Sequence, residues 1–329
     1  MRSRRGLAFA ALLVVCAAVG AITVVSAAGR GGGKGDPDAA RQAARQLSVD
    51  GGGQPMLVFR SLDRKRPATY GHLAFAPLGA MKATVTDRAC ERLYWAAGRG
   101  LCMTAGDLPG TYRGLVLDES LKVLHEIGVG GFPTRTRVSP DGRWGAMTAF
   151  VTGHTYNAAG TFSTETQIVD MNSGDSLGSL EDWHVARDGV EITARDRNYW
   201  GVTFADDGDT FYATVMTGSH RDLIRGSVRA RSATVIHKNV ECPSLSPDGT
   251  RIAYKKPSAK GWRLHVLDLA TGRETPMADT NPRDDQVEWL DDQTLVYGVD
   301  EQIWTVPADG SGAPAMWRAS GTSPAIVRD

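Results

Sequence analysis

Several groups of residues in this chain have types that could do chemistry. Gly174-Asp175-Ser176-Leu177-Gly178 matches the G-x-S-x-G signature of serine hydrolases. That signature works only where a strand feeds a sharp turn and then a helix, which lifts the serine oxygen beside an oxyanion hole. Here Ile168-Val169-Asp170 precede it and a further strand pattern follows, so Ser176 is read as a turn residue. Seven histidines, His72, His125, His154, His184, His220, His237 and His265, show no HxH or HExxH spacing. A metal site would have to be assembled from distant segments, and scattered strand and surface histidines are the simpler reading. Asp206-Asp207-Gly208 and Asp291-Asp292 offer carboxylates, but calcium takes roughly six to eight oxygens, more than one turn supplies. No glycine-rich phosphate loop lies between a strand and a helix. The expectation is no catalytic residue, no metal and no cofactor.

The cysteines carry a second kind of chemistry. Cys90 and Cys102 flank a predicted hairpin turning at Ala96 to Gly98. Directly opposed Cβ atoms on paired strands lie about 4.5–5.5 Å apart, the right order for a disulfide. The alternative is two buried thiols one residue out of register. Cys242 has no evident partner and reads as a buried strand residue.

The elements that must position these residues are short strands. From Cys242 to Gly272 the chain reads strand, turn, strand, loop, strand, turn: Leu245 closes one apolar run, Ser246-Pro247-Asp248-Gly249 supplies turn chemistry, and Ile252-Ala253-Tyr254 opens the next. Leu264, Val266, Leu267 and Leu269 lead to a second turn at Thr271-Gly272. No long segment has a helical period, and 38 glycines in 329 residues suit many tight turns.

The unit recurs. Val138-Ser139-Pro140-Asp141-Gly142 and Phe204-Ala205-Asp206-Asp207-Gly208 are copies, and Trp289-Leu290-Asp291-Asp292-Gln293 is a weaker one. The last three are spaced near the roughly 40–45 residues of a four-stranded propeller blade. Laying Tyr94 on Leu245 gives a fifth copy. The sixth is split: Ser323 to Asp329 matches Cys242 to Asp248, and its missing strands are Met56 to Arg60 and His72 to Phe75. Pairing of the two ends would close the ring without an exposed edge. The SPDG turns, the D-x-x-T-G turn at Asp268 to Gly272 and the apolar residue before each turn resemble the WD40-like (PD40) repeats of TolB-type propellers. The resemblance covers about residues 56–329 and implies an all-β, six-bladed β-propeller of four-stranded antiparallel blades. By analogy it also implies a scaffold role, although fold does not fix function.

The first 55 residues differ. Arg2, Arg4 and Arg5 precede an uncharged run from Gly6 to Gly29 that ends in Val25-Ser26-Ala27. Such a run reaches the roughly 20 residues of a transmembrane helix, and it also offers a small-residue cleavage site. Residues 1–28 are therefore read as a hydrophobic helix, either a signal peptide or an uncleaved anchor, and 29–55 as a linker with a short helix. Both readings place the propeller outside the membrane, anchored or secreted. Cys16 lies in the run behind Leu13-Val14-Val15, which is poor for lipidation. Beyond residue 28 the chain has 34 basic against 37 acidic residues. That balance gives no electrostatic reason to bind nucleic acid or an anionic membrane surface.

In a meander blade the first and third connections share one face, so the short SPDG and T-G turns lie together. Length variation falls on the other face, where variable loops on a rigid scaffold concentrate function. The candidate binding residues there are His154, Tyr156, Asn157, Trp183, His184, Arg187, His220 and Arg221. The expected function is a non-enzymatic, monomeric interaction scaffold of the bacterial envelope with a protein partner. The alternative is an enzyme or carbohydrate-binding module using the central channel.

Overall fold

A computed structural model describes residues 54–151, 163–259, 261–278 and 285–328. The described chain is almost entirely strand. β1 (Met56–Arg60), β2 (His72–Pro77) and β3 (Thr84–Ala89) open it. A second blade follows from β4 (Arg92–Ala96), β5 (Arg99–Ala105), β6 (Tyr112–Leu117) and β7 (Val123–Val129). The third is β8 (Phe132–Val138), β9 (Trp144–Val151), β10 (Ser163–Asp170) and β11 (Ser176–Ser179). A small hairpin, β12 (His184–Arg187) and β13 (Val190–Glu191), precedes the fourth blade: β14 (Asn198–Phe204), β15 (Thr210–Thr217), β16 (His220–Ser227) and β17 (Ser232–Lys238). The fifth is β18 (Glu241–Leu245), β19 (Arg251–Ser258), β20 (Gly261–Asp268) and β21 (Glu274–Pro276). The sixth is β22 (Glu288–Asp291), β23 (Thr294–Val299), β24 (Gln302–Pro307) and β25 (Ala315–Arg318), and β26 (Thr322–Val327) ends the chain.

The strand order β26-β1-β2-β3 completes the first blade from both chain ends, with Val58 paired to Ala325 and Met56 to Val327. The molecule is thus a closed six-bladed propeller, as the split repeat implies. Its turns repeat in atomic detail. In the fifth blade Gly249 takes a φ of 69°, and the Asp248 carboxylate accepts from the Ser246 hydroxyl at 2.5 Å and the Thr250 amide at 3.0 Å. In the third, Gly142 has a φ of 71°, and Asp141 accepts from Ser139 at 2.5 Å and from the Arg143 amide at 3.0 Å. Only glycine takes this left-handed backbone at no steric cost, which is why the motif ends in Gly.

Alternation with period two sends neighbouring residues to opposite blade faces, and both faces are covered. On β5, Cys102 joins Phe75 and Trp95 between the first two blades, while Leu101 and Met103 join Val138 and Met147 between the second and third. The hydrophobic core is therefore a ring of interblade clusters, not one central mass.

Two details depart from the sequence reading. The connection from Glu181 to Asn198, which carries the candidate loop-face residues Trp183, His184 and Arg187, contains β12 and β13, and β12 pairs in parallel with β17 to make the fourth blade's sheet six-stranded. Cys90 and Cys102 form a disulfide with Cα atoms 5.5 Å apart, but not as an opposed pair: the register places Leu93 opposite Cys102. Cys90 sits before β4 in the link from the first blade, held by its amide to Gly71 at 3.0 Å, and reaches Cys102 from outside the ladder. The N-terminal hydrophobic run and the linker helix lie outside the described residues. Among the described residues no helix is long and apolar enough to cross a membrane.

Candidate functional site

The innermost strands, β4, β8, β14, β18, β22 and β26, surround the axis. A polar crossbar spans it. Arg137 on β8 and Glu288 on β22, 5% and 3% exposed, form an ion pair. Arg137 also donates to the Ser244 hydroxyl at 3.1 Å and lies over the Tyr94 ring, 4.5 Å from its centre. The Tyr94 hydroxyl donates to Glu288 at 2.8 Å, and the Trp289 amide to its other oxygen at 2.9 Å. Burial pushes the Tyr94 hydroxyl up to about 12, so it remains a donor at any working pH. Each residue of this network has a partner, as a buried charge requires, although the Arg137 Nε donor is buried without one among the described residues.

On the face opposite the SPDG turns, a depression of about 170 Å³ lies beside the channel mouth over the third, fourth and fifth blades. Its lining includes Phe150, Trp200 and Trp262 with Arg135, Lys255, Arg221 and Glu241. The Lys255 ammonium sits 4.5 Å from the centre of the Trp262 ring, a cation–π distance. Glu241, buried, accepts from the Trp262 indole at 3.0 Å and pairs with Arg221 at 3.2 Å. An aromatic wall, cationic heads and a fixed carboxylate in one hollow are the composition of a recognition pocket. Arg221, which the sequence places on this rim, lies near the start of β16, and Lys255 lies on β19. Trp200 and Trp262 carry no local signal, because they converge from separate blades.

The candidate residues divide. Arg187, His220 and Arg221 come together at the same face of the fourth blade. Arg187 pairs with the buried Asp222 at 2.9 Å and donates to the Thr217 hydroxyl at 3.2 Å, and Thr217 faces His220 across the hairpin. Trp183 and His184 do not join them. Trp183 is 6% exposed and packs edge-on against Phe211 at 5.6 Å, so it is a core residue, because a large apolar ring gains more from burial than from rim exposure. His184 is exposed and pairs with Glu191 at 2.9 Å at the turn-face end of β12, where its amide bonds to Arg231. His154, Tyr156 and Asn157 lie outside the described residues.

The other chemically suggestive groups are explained locally. Ser176 starts strand β11, and its hydroxyl accepts from the Gly178 amide at 3.1 Å. Asp207 accepts from the Asp209 and Thr210 amides at 2.9 and 2.7 Å, which closes its own turn. His72 bonds the Thr86 carbonyl at 2.8 Å, and His237 the Glu274 carboxylate at 2.8 Å, both within or between blades. Among the described residues no three His, Cys, Asp or Glu side chains gather as a metal site.

No protein-family model matches the chain. Among solved structures, TolB from Acinetobacter baumannii superposes on 84% of this chain and 67% of its own length, at 16% identity and a TM-score of 0.59. A protein designated TolB from Agrobacterium tumefaciens covers 82% of this chain and 91% of its own at 14% identity, with a TM-score of 0.49. A puromycin-hydrolyzing peptidase from Mycobacterium tuberculosis covers 75% and 40% at 13% identity, with a TM-score of 0.43. At these identities likeness establishes fold alone, and the fold is that of a TolB-like six-bladed β-propeller.

Proposed function

We propose that the chain is a non-catalytic, extracytoplasmic interaction scaffold of the bacterial cell envelope, anchored or exported by its N-terminal segment, which takes a protein partner on the loop face. The observation that carries this reading is the hollow over the third to fifth blades, with Trp262 and Arg221 at its edge, the buried Lys255 beneath the Trp262 ring, and Arg187 and His220 beside it. Trp, Tyr and Arg supply most of the binding energy in protein interfaces, where a rigid ring or planar fork loses little freedom. The rest of the site is Arg221 held by Glu241 and Arg187 held by Asp222, so the cationic heads are positioned before a partner arrives.

Orientation supports the same face. Pro55 enters β1 beside Leu78, Pro247 and Trp317, on the side of the short turns. An anchor preceding it joins the propeller on the turn side and leaves the loop face unobstructed by the attachment.

A photo-crosslinking residue at position 220, in cells, tests this. One discrete protein adduct is expected, lost in Arg221→Glu and Trp262→Ala but kept in the turn-face control Arg273→Glu. No adduct at 220, or the same adduct from position 273, would overturn the reading. A second reading, a carbohydrate-binding module at the channel mouth, is favoured by one observation: the half-buried Trp262 ring beside the mouth. Saturable binding of cell-wall glycan fragments, lost in Trp262→Ala, would select it.

A further inference from the structure

On the loop side of the Arg137–Glu288 crossbar the channel holds a small chamber of about 20 Å³, lined among others by Arg92, Arg135, Thr136, Asp285 and Ser323. That volume accommodates one small species, since roughly 10–15 Å³ is the threshold for a single water. Its hydrogen-bond accounting is lopsided. The hydroxyl oxygens of Thr136 and Ser323 are buried without a hydrogen-bond partner among the described residues. Arg92 donates from Nε to the Thr134 carbonyl at 2.6 Å and from one amino group to the Glu91 carbonyl at 3.1 Å. Its second amino group makes no hydrogen bond to a described residue.

The carboxylates nearby are already engaged. Asp285 accepts the Gln286 amide at 3.0 Å and the Gly298 amide at 3.2 Å. Glu288 is held by Arg137, Tyr94 and the Trp289 amide, and Glu91 pairs with Arg60 at 3.0 Å. What remains at the chamber is donor capacity. Burial lowers the Arg92 guanidinium from its ordinary value; Asp285 and Glu91 oppose this, and Arg135 and Arg60 add to it. A positive charge that burial and neighbouring cations both disfavour is relieved by an anion. A water would satisfy the hydroxyls and place no counter-charge beside the guanidinium.

The backbone around the chamber is specialised as well. Ser323 takes a left-handed φ of 51°, at the place where the β26–β1 register shifts. Such bulges re-aim side chains at sites beside a channel or cleft.

We propose that this chamber binds one small monovalent anion, of the size and charge of chloride, between the Arg92 guanidinium and the hydroxyls of Thr136 and Ser323. The site adjoins the partner-binding hollow, sharing Thr134 and Arg135 with it, but does not depend on a partner there. Its effect is to tie β4, β8 and β26, three innermost strands, to one central charge.

The test uses the full-length protein. Crystals soaked in sodium bromide are expected to show one anomalous peak within hydrogen-bond distance of Thr136 and Ser323. Unfolding midpoints in sodium bromide and sodium gluconate at equal ionic strength are expected to differ saturably, because a ligand of the native state alone stabilises it. Thr136→Val, which keeps the shape, is expected to weaken bromide about tenfold, as loss of one hydrogen bond to a charge implies. If a variant fails to fold, the wild-type bromide map decides alone. An empty or water-only chamber in bromide-soaked crystals, or midpoints equal in bromide and gluconate, overturns the proposal.

Discussion

Arg137 of the third blade and Glu288 of the sixth meet as a buried ion pair from opposite sides of the propeller axis. Tyr94 of the second blade and Ser244 of the fifth complete the crossbar. The pair is therefore a closure device at the centre of the ring, complementary to the strand exchange at its edge. Glu288→Gln keeps an acceptor for Tyr94 but leaves the Arg137 charge buried and uncompensated. A loss of about 3–5 kcal/mol in urea unfolding is expected. The double variant Arg137→Met/Glu288→Leu should recover much of it, since apolar replacements of similar volume remove both desolvation costs.

The Cys90–Cys102 disulfide links the first interblade connection to the second strand of the next blade across a separation of 12 residues. A loop of that order gives about 3 kcal/mol in the chain-entropy account. The Cys90→Ser/Cys102→Ser protein should unfold at correspondingly lower urea. In the unreduced, denatured full-length chain only Cys16 and Cys242 should react with a thiol reagent, and all four cysteines after reduction.

Acid sensitivity is expected at the joint between the fourth and fifth blades. Burial lowers the His265 imidazole to about 4, with Lys256 and Arg263 adding to the shift and Glu274 opposing it. Its folded value lies below its unfolded one, so the unfolded chain binds the extra proton first. Stability is full above about pH 6.5 and falls as pH drops toward 4. Glu274 acts lower. Burial alone would raise its carboxyl, but hydrogen bonds from Lys256 and His237 hold it at about 2. Its contribution is present above the ordinary carboxyl range and is lost as pH falls from there through about 2. His265→Gln should flatten the urea midpoint between pH 6.5 and 4 while leaving the loss below pH 4 in place.

The fold is legible in the sequence because its turns are. Ser-Pro-Asp-Gly needs a left-handed glycine and an aspartate that caps amides, and each copy marks one corner of a blade. The split blade is legible from the same unit, since Ser323-Pro324 copies Cys242-Pro243. The crossbar is not: Arg137 and Glu288 are 151 residues apart, and no local spacing announces a contact across the axis. The β12–β13 hairpin is hidden because strands of four and two residues show no alternation. Trp183 reads as a rim residue from its loop and turns out to be core, whereas Arg187, His220 and Arg221 share the face the meander assigns them.

A glycine inside a strand makes a further prediction. Gly100 pairs with Trp95 across the β4–β5 hairpin, and a Cβ there would lie 2.3 Å from the indole ring. Trp95 is fully buried and packs edge-on to Phe75 at 5.5 Å, so the ring has no room to withdraw. Gly100→Ala should cost about 1–3 kcal/mol by overpacking, with a shift of tryptophan fluorescence marking the displaced ring.

The last strand should be indispensable. β26 contributes Ala325, Ile326 and Val327, all buried, and lies between the innermost ladder of the first blade and the sixth. Removing residues 322–329 strips β1 of its partner and opens an unpaired edge on a strand of buried Met56, Leu57 and Val58. Open edges on apolar strands recruit other chains. The truncated protein is expected to aggregate on expression, and supplying the missing strand as a peptide should restore solubility in proportion to its concentration, because the ladder it completes is intact in the rest of the blade. A soluble, monomeric truncation with an unchanged urea midpoint would show that closure by the chain ends is dispensable.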